Sequence, residues 1–316
     1  RAAQLDLYHR LGGYLAMDAQ AANLVIRAEL YAAENQPTLA LKCYRDALSA
    51  DPLHLPALRA ARAMHEANGE WNDARNLWAQ EGETHPDPAK SVQFLLHAAR
   101  LALKAKDTET AESHLLACLG KSKGHREVMR EIDALYRPAG RADELVALYE
   151  READAIAATQ PADAAPLYAE AAWLRWDVLK EGRRAGVPMN RALKLVATDA
   201  RALELKAAIA LSERNFTDAE AALEAALMGS GADRRASLLR RLAEVHLAAG
   251  RIDDAIEVAQ ESASLEDVPG THELIARAAL QAGAFLVALS SAEKLVALAS
   301  APDEVTKASV LAAEIR

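Results

Sequence analysis

One spacing limits what this chain can become. Ala40, Tyr44, Ala47 and Pro52 form an Ala-x3-aromatic-x2-Ala-x4-Pro series, and thirty-four residues later Ala74, Trp78, Glu81 and Pro86 fall at the same offsets. The stretches before them align as well, Leu24, Ala28 and Tyr31 with Leu58, Arg62 and His65. Apolar residues three and four apart describe amphipathic helices. Between two of these helices, over residues 55–67 and 73–83, lies Asn68-Gly69-Glu70-Trp71-Asn72-Asp73-Ala74. Gly69 ends the first helix, a polar residue opens the second, and the small Ala74 sits where the two press together. Arg214-Asn215-Phe216-Thr217-Asp218-Ala219 and Gly250-Arg251-Ile252-Asp253-Asp254-Ala255 repeat this grammar. A chain that iterates one helix–turn–helix unit stacks its units into a solenoid.

Further units follow. Val92, Leu95, Ala99, Ala111, Leu115 and Cys118 make a third, after a short insertion near residues 84–89. Met129, Tyr136, Gly140, Leu145 and Tyr149 make a fourth, with Leu145 where the others carry Ala. Later units carry Leu203, Ala207, Ala210, Ala219, Leu223 and Ala226, then Leu239, Ala243, His246, Ala255 and Ala259, then Ile275, Ala276, Ala279, Ala288 and Ala292. This pattern resembles the tetratricopeptide repeat family, whose unit wants small residues on helix A, an Ala opening helix B, then an aromatic, an Ala and a closing Pro. The usual Trp of helix A is missing. The resemblance implies an all-α fold, an α–α superhelix of about seven to eight helical hairpins.

The expected organisation is an N-terminal helix or partial repeat over 1–20 broken at Gly12-Gly13, a first sub-array over 21–155, an irregular repeat and possible hinge over 156–199, a second sub-array over 200–300, and a C-terminal helix over 301–316. Within the irregular repeat the sequence predicts one helix over 163–180 bearing Trp173 and Trp176, an extended turn over 182–188 and a short helix over 189–196. Thr217-Asp218-Ala219-Glu220 reads as a capping box.

Composition narrows the function. Apolar residues make up 51% of the chain but aromatics only 4%, which suits closely packed helices and not strands. A net charge of −9 argues against a general nucleic-acid binder. The two cysteines, Cys43 and Cys118, are too few for a disulfide framework and favour a reducing, cytoplasmic setting. A periplasmic location or a larger processed parent stays open, since the chain opens on Arg1. The longest uncharged run, residues 278–292, is too short to span a bilayer.

No enzyme signature emerges, so no catalytic residue, cofactor or metal is expected. Gly229-Ser230-Gly231 lacks the third Gly and the preceding strand of a phosphate loop and reads as an inter-repeat turn. His114 and Cys118, with His97, have too few partners for a metal site. Trp71, Trp78, Trp173 and Trp176 read as core, with Trp176 the one that could point outward. Asp143-Glu144 and Asp253-Asp254 suit helix starts, where acids oppose the positive dipole end.

The resemblance also implies a site, because in the family helix A lines a concave groove. Transferring its inner positions gives Arg59, Gln93, Arg100, Arg130, Arg137, Arg240, Glu244 and Arg277, with Glu29, Glu204 and Glu273 among them. Guanidinium groups on that track suit the carboxylates of an acidic peptide or helix. The competing reading has each Arg paired with a neighbouring Glu. The family's carboxylate clamp of Lys and Asn is absent, with Val25, Glu29, Arg59 and Ala63 in its place. The expectation is a bacterial, non-enzymatic scaffold or adaptor for a protein partner, without nucleic acid or membrane insertion. Self-association, a part in a larger machine, or a regulatory segment of a longer polypeptide are the alternatives.

Overall fold

The predicted periodicity becomes helix throughout. The structure, a computed structural model, describes residues 1–13 and 17–299 and, beyond them, residues 305, 306, 308–310 and 313. Among the described residues there is no strand. Of the helix expected over 301–316, the described residues are helical and the others lie outside the described residues.

The chain divides into two compact units, Arg1–Arg141 and Ala142–Arg316. The first holds α1 (Ala2–Gly12), α2 (Met17–Ala33), α3 (Pro37–Ala50), α4 (Leu55–Ala67), α5 (Trp71–Thr84), α6 (Pro88–Lys104), α7 (Thr108–Lys121) and α8 (Arg126–Tyr136). Consecutive helices pack on one another, α2 on α3, α4 on α5, α5 on α6 and α6 on α7. The second holds α9 (Ala142–Ile156), α10 (Pro161–Trp173) running into a π-helical turn (Leu174–Val178), α11 (Gly182–Leu195), α12 (Ala200–Ser212), α13 (Phe216–Gly229), α14 (Ala232–Ala248), α15 (Ile252–Leu265), α16 (Pro269–Gln281) and α17 (Phe285–Leu298). Here α10 packs on α11, α12 on α13, α14 on α15 and α16 on α17.

One turn is used again and again. After α2, α4, α6 and α8 the amide of Gln36, Glu70, Asp107 and Arg141 donates to the carbonyl five residues back, at Tyr31, His65, Ala102 and Tyr136. In the second unit Asn215, Arg251 and Ala284 do the same to Ala210, His246 and Ala279. The residue just before each donor has positive φ, between 58° and 79°. Gly fills that place in four of the seven turns, and Asn35, Lys106 and Arg214 fill it in the others. The turn after α10 is one residue longer, Glu181 to Arg175 across Lys180, because the helix has widened into the π turn.

The repeat register names the core. Leu95, Ala99, Ala111, Leu115 and Cys118 are buried, as are Leu203, Ala219, Leu223, Ala226, Ala243, Ala255, Ala259, Ala276, Ala288 and Ala292. Small residues on both helices let their backbones approach. A glycine makes one close approach in the first unit: a Cβ on Gly82 would lie 2.8 Å from Leu95 Cγ and 3.0 Å from its backbone nitrogen. Ser91 Oγ donates to the Gly82 carbonyl at 2.5 Å and closes the same contact. In the second unit Gly229 ends α13 with the Thr198 carbonyl oxygen 3.0 Å from where its Cβ would be.

Three local expectations are corrected. Residues 182–188 are helical and not an extended turn, with Pro188 seven residues into α11. The helix expected over 163–180 runs from Pro161 and leaves α geometry at Leu174. The cap of α13 is Asn215, whose side chain accepts from the Asp218 amide at 3.3 Å, so Thr217 lies inside the helix and not at its cap.

Candidate partner-binding surface

On the first unit the helix A residues project from α4, α6 and α8, and Arg59, Gln93, Arg100 and Arg130 are all exposed. Their electrostatic states differ. Arg100 is clamped by two carboxylates of α8: its Nη2 donates to Glu127 and Glu131, each at 2.7 Å, and its Nε to Glu131 at 2.9 Å. The Arg100 hydrogen bond in turn holds the Glu127 carboxyl below its ordinary range. Arg137, just past α8, bonds Asp133 at 2.5 Å. Arg59 and Arg130 have no ion pair or hydrogen bond from their side chains among the described residues. Gln93 lines a cavity of about 480 Å³ with Asp87, Val92, Leu96, Lys121 and His125.

On the second unit the A helices α14 and α16 flank an open cavity of about 520 Å³, lined by Glu244, Leu247, Gly270, Leu274, Arg277 and Gln281. The structure thus brings two of the expected residues, Glu244 and Arg277, to one place. Arg240 joins them at the edge, its Nη1 3.7 Å from where a Gly270 Cβ would lie. Arg277 also bonds Glu273 at 2.6 Å, one turn back on its own helix. Leu247 and Leu274 supply apolar lining to the same cavity as the charged Glu244, Glu273 and Arg277. Glu204, another acid of the expected track, is buried and bonded to Arg234 at 2.7 Å, which leaves little of it open to a partner.

The tryptophans are not plain core. Each is half-buried, and three lie against cations. The Arg62 guanidinium stacks 3.3 Å above Trp78, Lys104 is 5.1 Å from Trp71, and Arg201 and Arg241 lie 4.4 and 5.4 Å from Trp173. Trp176 packs its ring edge where a Gly182 Cβ would meet it at 3.1 Å.

Sequence reasoning missed the polar cluster beneath Trp78. Arg62 and Glu81 occupy the places held by Ala28 and Ala47 one repeat earlier, and they pair at 2.5 Å with side chains only 9% and 3% exposed. The signal was in the alignment, since both small residues change together. Also unforeseen was a cavity of about 290 Å³ beside the π turn, lined by Glu150, Arg175, Arg184, Val187, Pro188 and Arg191. There Arg175 bonds Glu150 at 3.1 Å and Glu181 at 2.8 Å, and these bonds raise its already high pKa. His97, His114 and Cys118 do not gather as ligands: Cys118 points its thiol at the Val92 carbonyl, 3.7 Å away, and burial pushes that thiol up to about 12.

No family model matches the sequence. No curated protein matches it either. Among solved structures it is similar to a chain of the APC/C hetero-tetramer Cut9-Hcn1, at 15% identity and a TM-score of 0.55 over 98% of this chain. The chain spans 58% of the length of that protein. It is similar also to PilW, a widely conserved type IV pilus biogenesis factor, at 17% identity and a TM-score of 0.53 over 68% of this chain and 97% of that one. Both are tetratricopeptide-type repeat proteins. The thirty-four-residue period, the paired helices and these likenesses agree: the chain has an all-α fold of the tetratricopeptide-repeat type.

Proposed function

We propose that this chain is a non-enzymatic scaffold whose helix A surfaces hold a peptide or helix of a partner protein. The observation that carries the reading is the α14–α16 cavity, whose lining combines the apolar Leu247 and Leu274 with the charged Glu244 and Arg277. Apolar contact area with a few oriented charges is what a peptide site needs. On the first unit Arg59 and Arg130 are exposed cations uncommitted within the fold, which favours an acidic partner there. The fold supports a protein partner, since one of the similar structures is a hetero-tetramer.

The test is capture from native cell extract, read by mass spectrometry, with wild type and two charge-reversed variants, Arg59→Glu/Arg130→Glu and Arg240→Glu/Arg277→Glu. Loss of the same captured protein, with unchanged helical signal and melting, is expected. Undiminished capture by both variants overturns the proposal. A second reading, self-association, draws on α17, where Phe285 and Leu286 are 61% and 86% exposed. It requires solution mass to rise with concentration and to fall back in Phe285→Ser/Leu286→Ser.

A further inference from the structure

The turn between α4 and α5 carries three side chains that its geometry does not require. Among the seven turns that close with the same five-residue hydrogen bond, the helix-end residue is Tyr31, His65, Ala102, Tyr136, Ala210, His246 or Ala279. The donor residue is Gln36, Glu70, Asp107, Arg141, Asn215, Arg251 or Ala284. Three residues beyond the donor stand Leu39, Asp73, Thr110, Glu144, Asp218, Asp254 and Val287. The backbone therefore forms without any particular side chain at these places. Only the α4–α5 turn has a histidine and two carboxylates at all three.

We propose that His65, Glu70 and Asp73 form a binding site for a divalent metal ion of the zinc class. One ligand atom from each, the imidazole nitrogen and two carboxylate oxygens, lies within 4.8 Å of the other two. Around zinc, with bonds of about 2.0–2.2 Å, tetrahedral ligand atoms stand about 3.4 Å apart. His65 Nδ1 and Glu70 Oε2, now 2.5 Å apart, open by about 1 Å to admit the ion, a shift within side-chain reach. As the metal takes Nδ1, the neutral imidazole carries its hydrogen on Nε2, and the hydrogen bond from His65 to Glu70 gives way to two bonds to the ion. Water fills the fourth position.

The site is held firmly on one side and open on the other. The His65 side chain is only 7% exposed, while Glu70 is 43% exposed and Asp73 is exposed. Gly69, at φ 72°, and the 2.8 Å bond from the Glu70 amide to the His65 carbonyl fix how the two helices meet. The cation one turn before His65 does not compete, because Arg62 is committed to Glu81. One nitrogen with two oxygens suits zinc or cobalt better than calcium or magnesium, which take oxygen alone.

The experiment is calorimetric titration of the tag-free 316-residue chain with zinc chloride, with cobalt chloride as a spectroscopic probe of tetrahedral geometry. We expect one site of micromolar affinity or better, visible cobalt bands of tetrahedral intensity, and a zinc-dependent rise in melting temperature. Asp73→Asn, an exposed change that leaves the turn intact, weakens binding more than tenfold, as does His65→Ala. Asp253→Asn, at another helix start, leaves it unchanged. Millimolar binding, or equal binding by wild type and Asp73→Asn, overturns the proposal whatever the outcome for His65→Ala, and neither result bears on the scaffold reading.

Discussion

At the scale of single residues, the Arg62–Glu81 pair replaces two alanines with two buried charges. Desolvating both is costly, and their attraction and the stack on Trp78 offset that cost only while both are present. Arg62→Ala alone strands the Glu81 carboxylate, whose Oε1 already has no partner, and is expected to lose about 3 kcal/mol in denaturant unfolding. Arg62→Ala/Glu81→Ala restores the pair of small residues found at Ala28 and Ala47, and the double variant is expected to be more stable than either single one. Glu112 makes a second, pH-dependent prediction. Its bonds to Arg141 at 2.6 and 2.9 Å hold the carboxyl below its ordinary range, with the Tyr136 hydroxyl adding to them. A carboxyl whose folded pKa is depressed stabilises above its unfolded value and loses that contribution as pH falls through the folded one. Glu112→Gln should therefore lower stability near neutrality and flatten its decline as pH falls through and below the usual carboxylate range, followed by urea midpoints.

At the scale of the element, the recurring turn sets both stability and legibility. Arg214 is held at φ 58°, a conformation that costs an L-residue about 1–2 kcal/mol. Arg214→Gly relieves that strain at the expense of a freer unfolded chain, for a net gain of about 0.5–1 kcal/mol, measurable as a raised unfolding midpoint. The Gly turns at Gly69 and Gly250 and the Arg214 turn were readable because a break in apolar spacing marks them. The α11 helix was not, since Gly182, Gly186 and Pro188 all read as breakers. Pro188 survives because its ring removes one intrahelical bond while Ala185, Met189 and Ala192 still bury one face. The α13 cap was misplaced by two residues because Thr217 and Asn215 are both competent caps, and only the turn decides between them.

At the scale of the whole molecule, each helix packs mainly on its sequence neighbours, so disturbance should stay local. Arg62→Ala is expected to speed amide exchange in α4, α5 and α6 while leaving α12 to α17 at their wild-type rates, as hydrogen-exchange mass spectrometry would record. The fold class was legible at this scale because one period of small residues runs through most of the chain. The candidate surface was legible only in part. Register placed Glu244 and Arg277 on α14 and α16, where they share a cavity, but it is silent on long side chains such as Arg100, whose guanidinium swings to Glu127 and Glu131. No helix among the described residues is long and apolar enough to cross a membrane.

The widened turn at Leu174–Val178 has a consequence for how this protein tolerates change in length. One added residue rotates everything after it by about 100° about a helix axis. Here the surplus is taken up on the spot, as Leu179 reaches back five residues to Leu174, and α11 still packs on α10. Removing one residue from 174–178 should relax the bulge to ordinary α geometry and leave a folded protein by circular dichroism. The same excision from the middle of α6 would turn Leu95 and Ala99 out of the interior and unfold the hairpin. Length, in this chain, is negotiable where a helix has already learned to absorb it.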